Sequence, residues 1–220
     1  MSISIIIPVL NESDHIGELL SCLPGSVETI VVDGGSTDST VEIATSRADQ
    51  VLTSEIGRAT QMNAGAAVAR GEILLFLHAD TSLPKNFVHH LQLFRLSSQA
   101  WGRFDVRIDS NNLMFRIIET MMNFRSRMTG ICTGDQGMFI KRSAFKEVGG
   151  FPQIALMEDI EISKQLKKIS RPFCIHEPAV TSARRWLDAG KLQTIFLMWQ
   201  LRFQYFLGVS PERLIRQYDK

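Results

Sequence analysis

The chain predicts an α/β fold: a mostly parallel central sheet flanked by helices, with further helices at the C-terminus. Three observations carry that expectation. The first third alternates apolar, β-branched runs with helical patterns, the order that builds right-handed βαβ units. The run Ile73–Leu77 is apolar throughout, as in a strand buried on both faces. It stops abruptly at His78-Ala79-Asp80, and open α/β sheets bind ligands just beyond the carboxyl ends of their strands.

Taken in order, strands are expected at Ser4–Val9, Glu28–Val32, Gln50–Thr53 and Ile73–Leu77, with helices at Ser13–Leu23, Thr37–Arg47 and Ala59–Ala69 between them. A helix is expected near Pro84–Leu93, and strands at Trp101–Ile108 and Gln136–Lys141. Residues 112–127 place apolar pairs at 113/114, 117/118 and 121/122 with arginines on the other face, the spacing of an amphipathic helix. Helices follow at Met157–Lys168 and Leu192–Leu207, and Ser210-Pro211-Glu212 reads as a cap with proline at the first helical position. Cys174 and His176 lie two apart on a strand-like segment.

At 220 residues the chain supports one large core. A formal net charge of +1 gives no bulk electrostatic case for nucleic acid. Three widely spaced cysteines form no CxxC pair, which favours a reducing compartment. No basic, cleavable leader opens the sequence, and no run reaches the ~18 apolar residues of a membrane span. The expectation is a cytoplasmic protein, with contact at the inner face of a membrane, or a homodimer, through the apolar segment 192–207. Packing on the protein or a partner chain is the commoner fate of such a helix.

Several short motifs can carry chemistry. Val31-Val32-Asp33-Gly34-Gly35-Ser36-Thr37-Asp38 is a strand ending in a carboxylate, then a glycine turn and a capping cluster. Asp33 there is placed to bond a nucleoside. Asp80 is a hard oxygen ligand for Mg²⁺ or Mn²⁺, and His78 suits Mn²⁺ better. Glu158, Asp159 and Glu161 open a helix, where they favour the helix dipole and where one can serve as general base. Asp135 lies in the glycine-flanked turn Gly134–Gly137. Arg184 and Arg185 can clamp a diphosphate, with Trp186 stacking on a sugar face.

The order of these motifs is more specific than any one of them. Ile5-Ile6-Ile7-Pro8-Val9-Leu10-Asn11-Glu12, Val32–Asp38, Asn63-Ala64-Gly65, Ala69–Glu72, His78-Ala79-Asp80, Gly149-Gly150-Phe151 and Glu158-Asp159 together resemble the family 2 glycosyltransferases of the GT-A fold, from residue 3 to about residue 186. Gly134-Asp135-Gln136 and Ser182–Trp186 resemble the bacterial radical-SAM/selenodomain-associated transferase 2 subgroup.

The resemblance implies a single Rossmann-like GT-A domain over 1–220. Residues 1–110 would bind a UDP- or GDP-sugar, 111–190 would hold the acceptor and catalytic groups, and 191–220 would be a helical addition. Pro8, Asn11, Glu12 and Asp33 would line the nucleotide pocket, with Gly57, Arg58 and Asn63 on the base and ribose side. His78, Ala79 and Asp80 would sit at the diphosphate and a divalent cation, with Arg184, Arg185 and Trp186 closing the site. Asp159 would be the base of an inverting transfer, flanked by Glu158 and Asp135.

This sequence departs from the family pattern in three places. Gly34 stands where a second Asp is common, His78 where the first acid of Asp-x-Asp stands, and Ser182 where processive members carry Gln. The rivals are a nucleotidyltransferase and a catalytically silent sugar-nucleotide-binding protein. Neither GxGxxG nor GxxxxGK[ST] is present, which excludes the usual dinucleotide and P-loop sites.

Overall fold

The computed structural model describes residues 2–184 and 190–218, with residues 191, 192 and 195 described by backbone alone. Strands β1 (Ile3–Val9), β2 (Glu28–Asp33), β3 (Gln50–Thr53) and β4 (Ile73–Phe76) alternate with helices α1 (Ser13–Cys22), α2 (Thr40–Thr45) and α3 (Arg58–Val68). Then come β5 (Thr81–Ser82), α4 (Phe87–Leu96), β6 (Trp101–Asp109), α5 (Leu113–Thr129), β7 (Met138–Lys141) and α6 (Arg142–Glu147). The chain continues through α7 (Glu158–Ile169), β8 (Phe173–Ser182), α8 (Lys191–Phe206) and α9 (Pro211–Tyr218). All eight strands join one sheet in the order β3-β2-β1-β4-β7-β6-β8-β5.

Period-two alternation along β1 splits the core in two. Ile3, Ile5, Ile7 and Val9 face Ile16, Leu19 and Leu20 of α1 and Phe87, Leu91 and Phe94 of α4. Ile6 faces the other way, onto Ala59, Met62 and Ala66 of α3 and Ile162 and Leu166 of α7. The sheet is therefore covered on both sides, which is why β1, β2 and β4 carry apolar runs. Gly65 lets α3 lie close to it: a Cβ there would meet Ile6 Cγ2 at 2.5 Å.

The sheet divides in character. β1–β2, β2–β3, β1–β4 and β6–β8 are parallel pairs, whereas β4–β7, β6–β7 and β5–β8 are antiparallel. The parallel half follows the sequence expectation closely. Helix α2 starts at Thr40 rather than Thr37, because residues 36–38 are used in a loop: Thr37 N donates to Asn11 Oδ1 at 2.8 Å and Thr40 N to Asp38 Oδ1 at 3.0 Å.

Helix α5 reverses the usual packing of an amphipathic helix. Its polar side faces inward and much of its apolar side faces out. Beyond Gly102, β6 has no strand partner on the side away from β8, so its backbone groups there need other partners. Side chains of α5 supply them. Asn123 accepts from Val106 N and donates to Val106 O, both at 2.9 Å, Glu119 accepts from Ile108 N at 3.0 Å, and Arg116 donates to Ile108 O at 2.7 Å. Phe115 and Ile118 are buried, while Leu113, Ile117, Met121, Phe124 and Met128 are exposed.

The C-terminal pair α8–α9 packs one face on the body. Leu201 and Leu214 bury against Leu156 and Met157, and Tyr205 Oη donates to Glu161 Oε1 at 2.6 Å. The other face of α8, Phe196, Trp199, Phe203 and Phe206, is exposed. No helix among the described residues is long and apolar enough to cross a membrane.

Candidate active site

The strand order turns back between β1 and β4, since β2 and β3 follow on one side of β1 and β4 lies on the other. A crevice opens at such a reversal, beyond the carboxyl ends of the strands. Its floor is built from the two loops that leave β1 and β2. Asn11 sits in the left-handed region at φ 53°, a conformation asparagine tolerates better than most residues. Asn11 N donates to Ser36 Oγ at 2.8 Å, and Glu12 N to Thr40 Oγ1 at 2.8 Å. Asp38 accepts from the Thr40 hydroxyl, and this bond is the main reason its carboxyl is lowered to about 2.

Asp33 is 3% exposed at the end of β2. Its carboxylate accepts from Gly35 N at 2.9 Å and from Ser36 N and Oγ at 3.1 and 2.5 Å, so it shapes the loop as well as facing the crevice mouth. Gln61 was not anticipated. It donates from Nε2 to Val9 O and Val32 O, each at 2.8 Å, and lies 3.2 Å from where a Gly34 Cβ would be. Gly34 is thus the space into which Gln61 packs while tying the ends of β1 and β2 together.

Other expected residues are distributed unevenly. Pro8 is half-buried in β1, and Ala79 is buried. Gly57, at φ 144°, opens α3, and Arg58 follows it, exposed. Asn63 does different work from that expected: Nδ2 donates to Phe151 O at 2.8 Å and Oδ1 accepts from Phe151 N at 2.9 Å. Its amide therefore holds the 149–151 turn. Arg184 reaches Glu12 with Nη2 3.3 Å from each carboxylate oxygen, which joins the end of β8 to the crevice. Arg185 and Trp186 lie outside the described residues.

Across the crevice the sequence-distant acids converge. His78 Nδ1 is 3.5 Å from Asp135 Oδ1, and the imidazole lies over Gly134, where a Cβ would meet Cε1 and Nε2 at 2.5 Å. Gly134 N in turn donates to Asp159 Oδ2 at 3.2 Å. One turn, Gly134–Gln136, therefore connects the His78-Ala79-Asp80 loop to the first turn of α7. Burial pushes the Asp135 carboxyl up, but the His78 bond and the charges of Arg58 and Arg202 outweigh it and hold it low. Glu161 points away, bonded to Lys164 at 2.6 Å and to Tyr205.

Glu158 is the opposite case. It is 5% exposed, and burial, then the neighbouring Asp159 charge, raise it from 4.5 to about 7. A carboxyl raised on folding stabilises the native state fully below pH 4.5, and that stability is lost as pH rises through 7. Glu158→Gln keeps the shape without the charge. At pH 8 it is expected to be more stable than the parent by up to about 3 kcal/mol, at ~1.36 kcal/mol per unit, with no difference at pH 4. Urea titrations from pH 4 to 8 check this, and identical pH slopes for both proteins would contradict it.

Asp80 has one weak partner, the Thr81 hydroxyl at 3.3 Å, and is half-exposed. No three His, Cys, Asp or Glu side chains form a metal cage among the described residues. A single carboxylate completed by substrate phosphates and water is how Mg²⁺ is commonly held, so Asp80 fits such a cation. His78 is turned to Asp135 instead.

With this geometry in view, comparison with known proteins is informative. The model of glycosyl transferase family 2 matches residues 4–149. The chain belongs to this family. A PGL/p-HBAD biosynthesis glycosyltransferase of Mycobacterium bovis is 28% identical over 176 residues, which cover 67% of this chain and 62% of that protein. S. aureus TarS, residues 1–349, solved with UDP-GlcNAc, superposes with a TM-score of 0.68 at 19% identity over 83% of this chain and 58% of that one. The mannosyltransferase PcManGT of Pyrobaculum calidifontis, solved with GDP-Man and Mn²⁺, gives 0.61 at 22% identity over 82% and 56%. The family 2 chain described here thus has the GT-A fold, and it spans about three fifths of the length of these relatives.

Proposed function

We propose that this family 2 protein is an inverting glycosyltransferase that moves a sugar from a UDP- or GDP-sugar to an acceptor hydroxyl. The observation that carries the reading is the link through Gly134, which joins Asp159 to the His78-Ala79-Asp80 loop beyond β4. The complexes of TarS with UDP-GlcNAc and of PcManGT with GDP-Man and Mn²⁺ support it. Residues 1–110 then bind the donor and 111–190 hold the acceptor side, with 191–220 bracing α7. The Gly134-Asp135-Gln136 turn supports membership of the radical-SAM/selenodomain-associated subgroup.

In the proposed reaction Asp159 takes the proton of the acceptor hydroxyl. The oxygen bonds to the anomeric carbon as that carbon's bond to the diphosphate breaks on the opposite face, and the nucleoside diphosphate leaves. Asp159 suits the role because it is half-exposed, whereas Glu158 is buried beneath it. Arg184, freed from Glu12, is placed to meet the diphosphate. A divalent cation on Asp80, when bound, would offset charge on the leaving group.

The donor side is tested by thermal shift with UDP, GDP and their sugars, with and without Mn²⁺. A nucleotide at about 100 times its Kd should stabilise the protein by ~2.7 kcal/mol. Asp33→Ala should weaken that binding by roughly 1–3 kcal/mol, the range for a lost charged hydrogen bond. A folded variant with unchanged affinity by calorimetry would sink the assignment of Asp33.

We also place the protein in the cytoplasm, peripheral to the inner membrane face. The outward apolar faces of α5 and α8 support this reading. Co-sedimentation with phospholipid vesicles should be strong, and it should fall in the Trp199→Glu, Phe203→Glu double variant. Protein left in the supernatant would refute membrane contact.

A further inference from the structure

Two arginines that the donor half does not use face the acceptor side of Asp159. The helices that carry them are both tied to α7. The end of α5 is tied to α7 by Lys167 Nζ, which donates to Thr129 O, and by Cys132 N, which donates to Ser163 Oγ at 3.1 Å. Helix α8 is tied to α7 by the Tyr205–Glu161 bond and by Leu201 buried on Met157. Arg125 lies about one turn before Thr129, and Arg202 follows Leu201 directly; the charge of Asp159, in the first turn of α7, acts on both.

Arg125 is not satisfied there: Nε and Nη2 are buried without a hydrogen-bond partner. Arg202 beside it has no protein partner, by hydrogen bond or ion pair, among the described residues. Burial, and then the charge of Arg202, lower Arg125 to about 10; burial lowers Arg202 as well, against the pull of Asp159 and Asp135. Arg103 and Arg116 also leave Nε buried without a partner, but their other guanidinium nitrogens are bonded and paired. Arg103 bonds Phe104 O and Asn123 O and pairs with Asp105. Two unpaired guanidinium groups side by side, partly desolvated, are held at a cost that an anion between them removes. Their planar donor forks match a tetrahedral oxyanion.

We infer that Arg125 and Arg202 form an anion subsite for a phosphate group on the acceptor, adjoining the hydroxyl that Asp159 activates. The inference rests on the proposed transferase reading and deepens it by naming the acceptor class, a phosphorylated molecule. Two positive charges favour a phosphate over a carboxylate. The phosphate can belong to a soluble metabolite or to a lipid headgroup, since the exposed faces of α5 and α8 flank the site.

The test titrates inorganic phosphate into the full chain at fixed ionic strength, with the donor crevice first saturated with UDP or GDP, whichever binds. Saturable phosphate binding is expected, weakened about tenfold or more in Arg125→Gln and in Arg202→Gln, abolished in the double variant, and partly restored by lysine at either position. Melting curves establish that each variant is folded. Octyl phosphate binding more tightly than methyl phosphate assigns the group to a lipid; equal affinities assign it to a soluble acceptor.

No saturable phosphate binding by the parent, or binding that survives in the folded double variant, would overturn the inference. Acetate binding as tightly as phosphate would overturn the phosphate assignment. If neither UDP nor GDP binds, the transferase reading fails separately, and phosphate titrated into the free protein still decides the role of the two arginines.

Discussion

Asp159→Asn is expected to lower kcat by about 10²–10⁴-fold, the usual scale for a general base, while leaving donor affinity nearly intact. The substitution preserves shape; in the parent, Asp159 Oδ1 accepts from Ile160 N at 2.8 Å and Oδ2 from Gly134 N at 3.2 Å. An asparagine oxygen can keep one of these, so the loss falls on proton acceptance. Glu161→Gln should matter much less, because Glu161 is held by Lys164 and Tyr205 on the side away from the crevice. Steady-state kinetics with a sugar nucleotide separate the cases. Normal turnover by Asp159→Asn together with a dead Glu158→Gln would move the base by one residue.

Asp80→Asn is expected to remove most of the dependence of donor binding and turnover on Mn²⁺ or Mg²⁺. The neutral amide is a far weaker ligand for a hard cation. His78 is not expected to compensate, since its ring is packed over Gly134 and directed at Asp135. His78→Ala should instead disturb Asp135. Full activity of the parent in excess EDTA would sink the metal claim and leave the fold and the nucleotide crevice untouched.

The parallel half was legible because β1, β2 and β4 are buried on both faces and read as apolar runs, and because their ends carry polar turns. The Asp33 turn and the His78-Ala79-Asp80 loop fall where those runs stop. Three features were hidden. The inverted face of α5 depends on an unpaired edge of β6, a tertiary fact that periodicity does not encode. The bonding of Asn63 to Phe151 depends on a turn far along the chain. Arg125 and Arg202 come near Asp159 only because α5 and α8 are both tied to α7, and an arginine on a helix reads as a solvated residue until its neighbours are placed.

The anomer released in the first minutes of reaction tests the central claim most directly. The parent protein is incubated with α-linked UDP- and GDP-sugars and Mn²⁺, water serving as acceptor, and followed by proton NMR before the free sugar equilibrates. Inverting transfer requires the β-anomer first, with one nucleoside diphosphate released per sugar, and loss of that signal in Asp159→Asn. Initial release of the α-anomer, or no turnover of any sugar nucleotide that binds, would contradict it.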